Sequence, residues 1–75
     1  MTASLQLTID AAPGALIRVL GLAERRGYDP ISVHAQPTNN ATLSLSLTVR
    51  AERPVHLLLR RLQKLYNVHH VEVVS

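Results

Sequence analysis

D-A-A-P-G-A-L-I-R-V-L-G-L-A-E-R-R-G, residues 10–27, decides how this chain folds. It reads as a strand end, a tight Pro-Gly turn, an amphipathic helix and a glycine stop. Pro13 suits the first helical turn, where a missing N–H costs nothing and the fixed φ is already helical. Leu16, Val19, Leu20 and Ala23 follow at helical spacing, with Arg18, Arg25 and Arg26 off that stripe. Gly21 reads as a helix packing point, and Gly27 stands where a left-handed helix stop is wanted. A helix opened in this way aims its free backbone N–H groups and the positive end of its dipole in front of the turn. That arrangement suits a carboxylate.

Working outward, Ser4 to Asp10 alternates cleanly, with Leu5, Leu7 and Ile9 on one side and Gln6, Thr8 and Asp10 on the other. This is a half-buried strand. On the far side of the helix, Ile31, Val33 and Ala35 alternate with Ser32, His34 and Gln36. Pro37-Thr38-Asn39-Asn40 supplies turn chemistry. Leu43, Leu45, Leu47 and Val49 then alternate with Ser44, Ser46, Thr48 and Arg50, and the short connection makes these two strands a hairpin. Pro54 opens a second helix with Val55, Leu58, Leu59, Leu62, Leu65 and Tyr66 on one face. A last strand after Asn67 carries Val71 and Val73.

The order strand-helix-strand-strand-helix-strand, with one apolar stripe per helix and one apolar side per strand, predicts an α+β fold. The economical solution is a ferredoxin-like βαββαβ sandwich, a four-stranded antiparallel sheet with both helices on one face. Residues 1–75 form one domain. The sheet's other face is left open, carrying Gln6, Thr8, Ser32, His34, Gln36, Ser44, Ser46, Thr48 and Glu72. Solvated sheets usually carry Lys and Glu as protection against association. A hydroxyl-rich, charge-poor face suits contact with a partner, so Thr8, Ser32, His34, Ser44, Ser46 and Thr48 are candidate interface residues.

Composition narrows the function classes. A chain of 75 residues without cysteine has neither a large core nor disulfides to stabilise it. Self-association or docking is the expected remedy. The net charge is +3 and the pI about 10.2, but the basic residues fall on the helices and at element ends, as on solvated helix faces. No apolar run nears the roughly 18 residues of a membrane span, and the start lacks the pattern of a secretory signal. The expectation is a cytoplasmic protein that neither spans nor binds a membrane.

Catalysis needs a nucleophile with its base, or paired acids in a pocket. Asp10, Glu24, Asp29, Glu52 and Glu72 are scattered over different elements, and no glycine-rich phosphate loop or nucleophile elbow is present. His69 and His70 are neighbours on a strand and face opposite ways, while His34 and His56 stand alone. No metal site is expected. RNA-recognition domains share this topology but stack bases on central aromatics. Here the central strands are Leu and Ser, with no Phe or Trp, so nucleic acid is not an expected partner. The chain is expected to be no enzyme.

The pattern D-A-A-P-G-A-L-x-R-V-L-G-L-x-x-x-R-G-Y, residues 10–28, resembles the signature of ACT domains, ferredoxin-like regulatory modules that bind amino acids or pair with one another. R-G-Y-D-P-I-S-V-H-A-Q-P-T-N-N-A-T-L-S, residues 26–44, is similar to the second strand and hairpin of the small, regulatory subunit of acetohydroxyacid (acetolactate) synthase. L-x-x-L-x-K-L-Y-N-V-H-H-V-E-V, residues 59–73, resembles the same subunit's second helix and last strand. The resemblance is ungapped over nearly the whole chain.

It implies a regulatory subunit without an active site, which binds and activates a catalytic chain in branched-chain amino acid biosynthesis. Thiamine diphosphate, FAD and Mg would belong to that chain, and this one would hold no cofactor. It implies a homodimer joined through sheet edges, with a branched-chain amino acid such as valine as effector. The effector carboxylate would meet backbone N–H groups around Gly14, Ala15 and Leu16, in the corner made by Asp10, Ala11, Ala12 and Pro13. Its ammonium would use Asp10, Asp29 or carbonyls near Ser32. Effector-sensitive members usually have Asn where this chain has Ala11 and Asp29. Alanine cannot hydrogen-bond through its side chain, and a carboxylate only accepts. With the short single-domain form, this implies weak or absent valine feedback. The alternative reading is a stand-alone ACT domain that senses an amino acid and regulates another partner.

Overall fold

The computed structural model describes all 75 residues. Six elements follow in the expected order: β1 (Thr2–Asp10), α1 (Pro13–Arg25), β2 (Asp29–Pro37), β3 (Thr42–Arg50), α2 (Val55–Leu62) and β4 (Val68–Val73). The strands form one sheet in the order β2-β3-β1-β4, with every neighbouring pair antiparallel. The ferredoxin-like reading holds. No helix is long and apolar enough to cross a membrane.

Alternation fixes the core. Leu5, Leu7 and Ile9 of β1 face Leu47, Leu45 and Leu43 of β3 in register, and nearly all of them are sealed from solvent. The helices close over this side through Ala15, Val19, Leu22 and Ala23 of α1 and Leu58 and Leu62 of α2. The α1 stripe is rotated from the expected one, since Leu16 and Leu20 are only partly buried. Ala15 and Leu22 take core positions beside Val19 and Ala23.

Three further details differ from expectation. Helix α2 ends at Leu62, its last turn tightened by bonds from the Lys64 N–H to the Arg61 carbonyl and from the Leu65 N–H to the Leu62 carbonyl. Tyr66 therefore leaves the apolar stripe and is 75% exposed, with the Arg18 guanidinium 5.3 Å above its ring. Gly21 is no packing point, because a Cβ there would meet only the Arg25 side chain. Tyr28 is instead a core residue, 2% exposed, its hydroxyl donating to the Pro54 carbonyl at 2.7 Å. That bond ties the chain after α1 to the start of α2. Gly27 does adopt the left-handed stop, at φ 87°.

Candidate effector and docking site

The corner between β1 and α1 is tied on both sides by backbone bonds. The Asp10 N–H donates to the Asn67 carbonyl and the Ala11 N–H to the Ala41 carbonyl, each at 2.9 Å. Ala12 is the extended N-cap and offers no side-chain cap. Its carbonyl accepts the Ala15 N–H at 3.0 Å, while the Gly14 N–H meets no acceptor in the chain. The first turn carries no acidic side chain. The positive end of α1 is thus neither capped nor neutralised by the protein itself. Gly14 has no positive φ, so conformation does not demand glycine there, and a Cβ would find nothing within 4 Å. Pro13, Gly14 and both alanines before them are exposed, whereas Ala15 is buried in the core and Leu16 half-buried. The corner is open and offers unpartnered backbone, not side-chain chemistry.

Asp10 is already engaged. Its Oδ1 lies 2.5 Å from Nε2 of His69. Strict alternation would not bring this histidine across. It arrives because the β1–β4 register slips between Thr8 and Ile9, pairing Thr8 with His70 and Ile9 with Val68. His70 in turn lies 3.3 Å from Glu72. No group of three or more metal-ligating side chains forms.

Asp29 and Ser32 lie elsewhere. Asp10 pairs with Thr42 at one end of β3, whereas Thr2 and Asp29 both pair with Arg50 at the other. Eight residues of strand separate the two ends, roughly 26 Å at about 3.3 Å per residue. Asp29 is bridged to Arg50 at 3.6 Å on the surface. Within one chain the candidate residues Asp10 to Leu16 are therefore gathered, and Asp29 and Ser32 are not.

The open face of the sheet is assembled as its alternation requires. Ser32, Thr48 and Ser4 lie in one row, His34, Ser46 and Gln6 in the next, and Gln36, Ser44 and Thr8 in a third. These rows are cross-linked. Gln6 Nε2 donates to Ser44 Oγ at 2.7 Å, Ser46 Oγ donates to Gln6 Oε1 at 2.8 Å, and the hydroxyls of Ser4 and Thr48 are 3.1 Å apart. The hydroxyls of Ser4, Thr48, Ser44 and Ser46 thus each have a partner within the face, the last two in the Gln6 amide, which lowers the desolvation cost of covering its centre.

The edge at β2 is a feature that sequence reading did not isolate. Every residue of this strand is exposed except the half-buried Pro30. Val33 and Ala35 do point to the helix side, opposite Leu47 and Leu45, yet both remain exposed. Ile31 falls in a register shift, and Ile31 and Val33 are each 43% exposed. Arg18 leans toward Tyr66 beside α2, so the opposite flank of α1, bearing Leu16 and Leu20, faces the β2 side by the 100° step of a helix. An apolar shelf thus borders an unpaired strand edge, a template for adding another strand.

Comparison with known proteins matches residues 11–71 to the family model described as ACT domain. No curated protein sequence matches the chain. Among solved structures, it is similar to the ACT domain from GTP pyrophosphokinase of Chlorobium tepidum, with a TM-score of 0.82 and 13% identity over 99% of this chain and 97% of that one. It is likewise similar to the acetolactate synthase small subunit from Thermotoga maritima, with a TM-score of 0.85 and 18% identity over 100% of this chain and 48% of that one. The C-terminal domain of the MgtC protein from Mycobacterium tuberculosis gives a TM-score of 0.72 and 9% identity over 97% of this chain and 84% of that one. At these identities the likeness is one of fold.

Proposed function

Because the chain belongs to the ACT-domain family, a family of regulatory modules, we propose that it is the non-catalytic regulatory subunit of an acetohydroxyacid synthase. It binds and activates the catalytic chain, with weak or absent valine feedback. The observation that carries this reading is the run of synthase-like sequence through the β2–β3 hairpin and from α2 into β4, residues 26–44 and 59–73. The fold likeness to the Thermotoga maritima small subunit is consistent with it.

The geometry supports a division of labour. Two copies joined antiparallel along β2 would make one continuous eight-stranded sheet, with all four helices on the same side. The shelf of Leu16, Leu20, Ile31, Val33 and Ala35 would be covered in the same step. This pairing also resolves the separation of the candidate effector residues. A two-fold axis through the middle of β2 brings the start of the second copy's strand beside the Pro37 end of the first. Asp29 and Ser32 of the second copy then lie on the side of the Asp10–Gly14 corner. An amino acid held there would place its carboxylate at the free Gly14 N–H and its ammonium toward acidic groups of both copies. The open hydroxyl face, Thr8, Ser32, His34, Ser44, Ser46 and Thr48, is left for the catalytic partner.

The test is co-purification with a catalytic subunit, followed by its turnover with and without this chain. Binding with a rise in turnover supports the reading; neither binding nor activation refutes it. A second reading is favoured by the likeness to ACT domains of unrelated proteins, including that of GTP pyrophosphokinase. In it the chain senses an amino acid for a different partner. Saturable binding of valine, leucine or isoleucine in calorimetry, unchanged by the catalytic subunit, would select it.

A further inference from the structure

Away from the corner and the β2 edge lies a cavity of about 310 Å³, formed where the end of α1 meets α2. It is lined by Arg26, Arg53, Arg60, Arg61 and Lys64, with Tyr28 and Leu57 as its apolar part. No Asp or Glu belongs to the lining, and none of the five cations forms an ion pair. The chain's net charge of +3 less these five leaves −2 for all the rest, so the basicity of this protein is concentrated in one place.

Helix dipoles account for only part of this clustering. Arg60 and Arg61 occupy the last turn of α2 and Arg26 caps α1, where cations are favoured. Arg53 precedes α2, next to a helix N-terminus that disfavours a cation. It is held toward the others by a bond from its Nη1 to the Arg26 carbonyl at 3.3 Å. Four of the five are arginines, whose planar forks match phosphoryl oxygens two at a time. Five like charges around one cavity repel one another unless an anion joins them.

We propose that this cavity is a binding site for a small anion bearing two or more phosphoryl groups. Its volume lies at the lower end of small-molecule sites, which run from about 300 Å³. A strand of nucleic acid would want exposed aromatic rings to stack on, whereas the one ring in this lining, Tyr28, is buried with its hydroxyl committed to Pro54, and the exposed Tyr66 lies outside the lining with Arg18 over its face. Two or three phosphoryl groups in line would neutralise the cluster across the α1–α2 junction. This site does not depend on which enzyme the domain regulates.

Inorganic pyrophosphate and tripolyphosphate are the probes, titrated at constant ionic strength by calorimetry and by two-dimensional amide NMR. The expected result is saturable binding of one anion per chain, tighter for tripolyphosphate, with shifts centred on Gly27, Arg53 and Arg60 to Lys64. Arg60→Gln and Arg53→Gln should each weaken binding about tenfold, the loss of roughly one charge-assisted pair. Arg18→Gln, outside the lining, should leave it unchanged, and the dispersion of the amide spectrum reports that each variant is folded. Absence of saturable binding overturns the proposal. So does an equal loss in Arg18→Gln, which would mean diffuse charge attraction. Binding of a hexaglutamate peptide or single-stranded RNA that tripolyphosphate fails to displace would assign the patch to a macromolecule instead.

Discussion

Replacing Val33 by lysine tests the β2 edge directly. Val33 is the middle residue of the nine in β2, so an antiparallel pairing of two such strands places its two copies side by side at the symmetry axis. It is 43% exposed in the single chain and lies on the helix side of the sheet. Full burial of an aliphatic side chain of this size stabilises by about 1.5–3 kcal/mol, so covering the remaining surface contributes about 1 kcal/mol per copy. The symmetry counts it twice. Lysine forfeits that gain and sets two ammonium groups against each other across a cross-strand distance of about 5 Å, which adds a further penalty of about 1 kcal/mol at a partly solvated site. The sum, about 3 kcal/mol, weakens self-association roughly a hundredfold or more.

Sedimentation equilibrium from about 1 µM to about 1 mM protein reads this as a shift in dissociation constant. The single chain should keep its stability to within about 0.5 kcal/mol, because the position is an exposed edge. Ser46→Lys, on the open face of a central strand, should dimerise as the parent does. The reasoning is refuted if the parent chain stays monomeric throughout this range. It is refuted equally if Val33→Lys associates as tightly as the parent, or if Ser46→Lys is the variant that dissociates.

Three other substitutions probe the remaining claims. Tyr28→Phe removes the bond to the Pro54 carbonyl and should lower stability by about 1.5 kcal/mol, a fall in Tm of roughly 10 °C for a domain this small; an unchanged Tm would mean the bond does not tie α1 to α2. Gly27→Ala forces a side chain into φ 87° and should cost about 1 kcal/mol in chemical denaturation. Gly14→Ala meets no neighbour and should leave stability unchanged or raise it by up to about 1 kcal/mol, while weakening, under the proposed function, the already weak valine binding that calorimetry reads on the complex with the catalytic subunit. Unaltered valine affinity in that variant would remove the corner from the effector site.

Much of this architecture was legible because period-two and period-3.6 patterns are direct consequences of side-chain direction. Leu5, Leu7 and Ile9 had no other self-consistent placement, nor did Leu45, Leu47 and Val49. Alternation does not say whether an apolar side is covered, and that depends on where the helices rest. Val33 and Ala35 carry the same signature as Leu45 and Leu47 but lie at the margin. Tyr28 carried no periodic signal, since it sits in a connection, and its burial follows from the carbonyl that its hydroxyl finds. Tyr66 continued the α2 stripe on paper, but the helix had already stopped. The contact of His69 with Asp10 rests on a register slip between strands distant in sequence, which no local pattern announces.

That last contact bears on how an effector would act under the proposed function. Asp10 is the acid nearest the free Gly14 N–H in sequence, and the protein already supplies it with a partner from β4. An ammonium group arriving at the corner would have to share or displace His69, so under that proposal a single chain would offer the carboxylate subsite ready and the ammonium subsite occupied. The other candidate acid, Asp29, stands at the far end of the sheet, and only a second copy paired along β2 would bring one to this side. An amino acid would therefore bind the pair far better than the single chain, and by linkage must favour pairing by the same factor. Under that proposal even weak feedback would run through the β2 edge: the effector would not need to deform the domain, only to change how many copies present a joined sheet to the catalytic subunit.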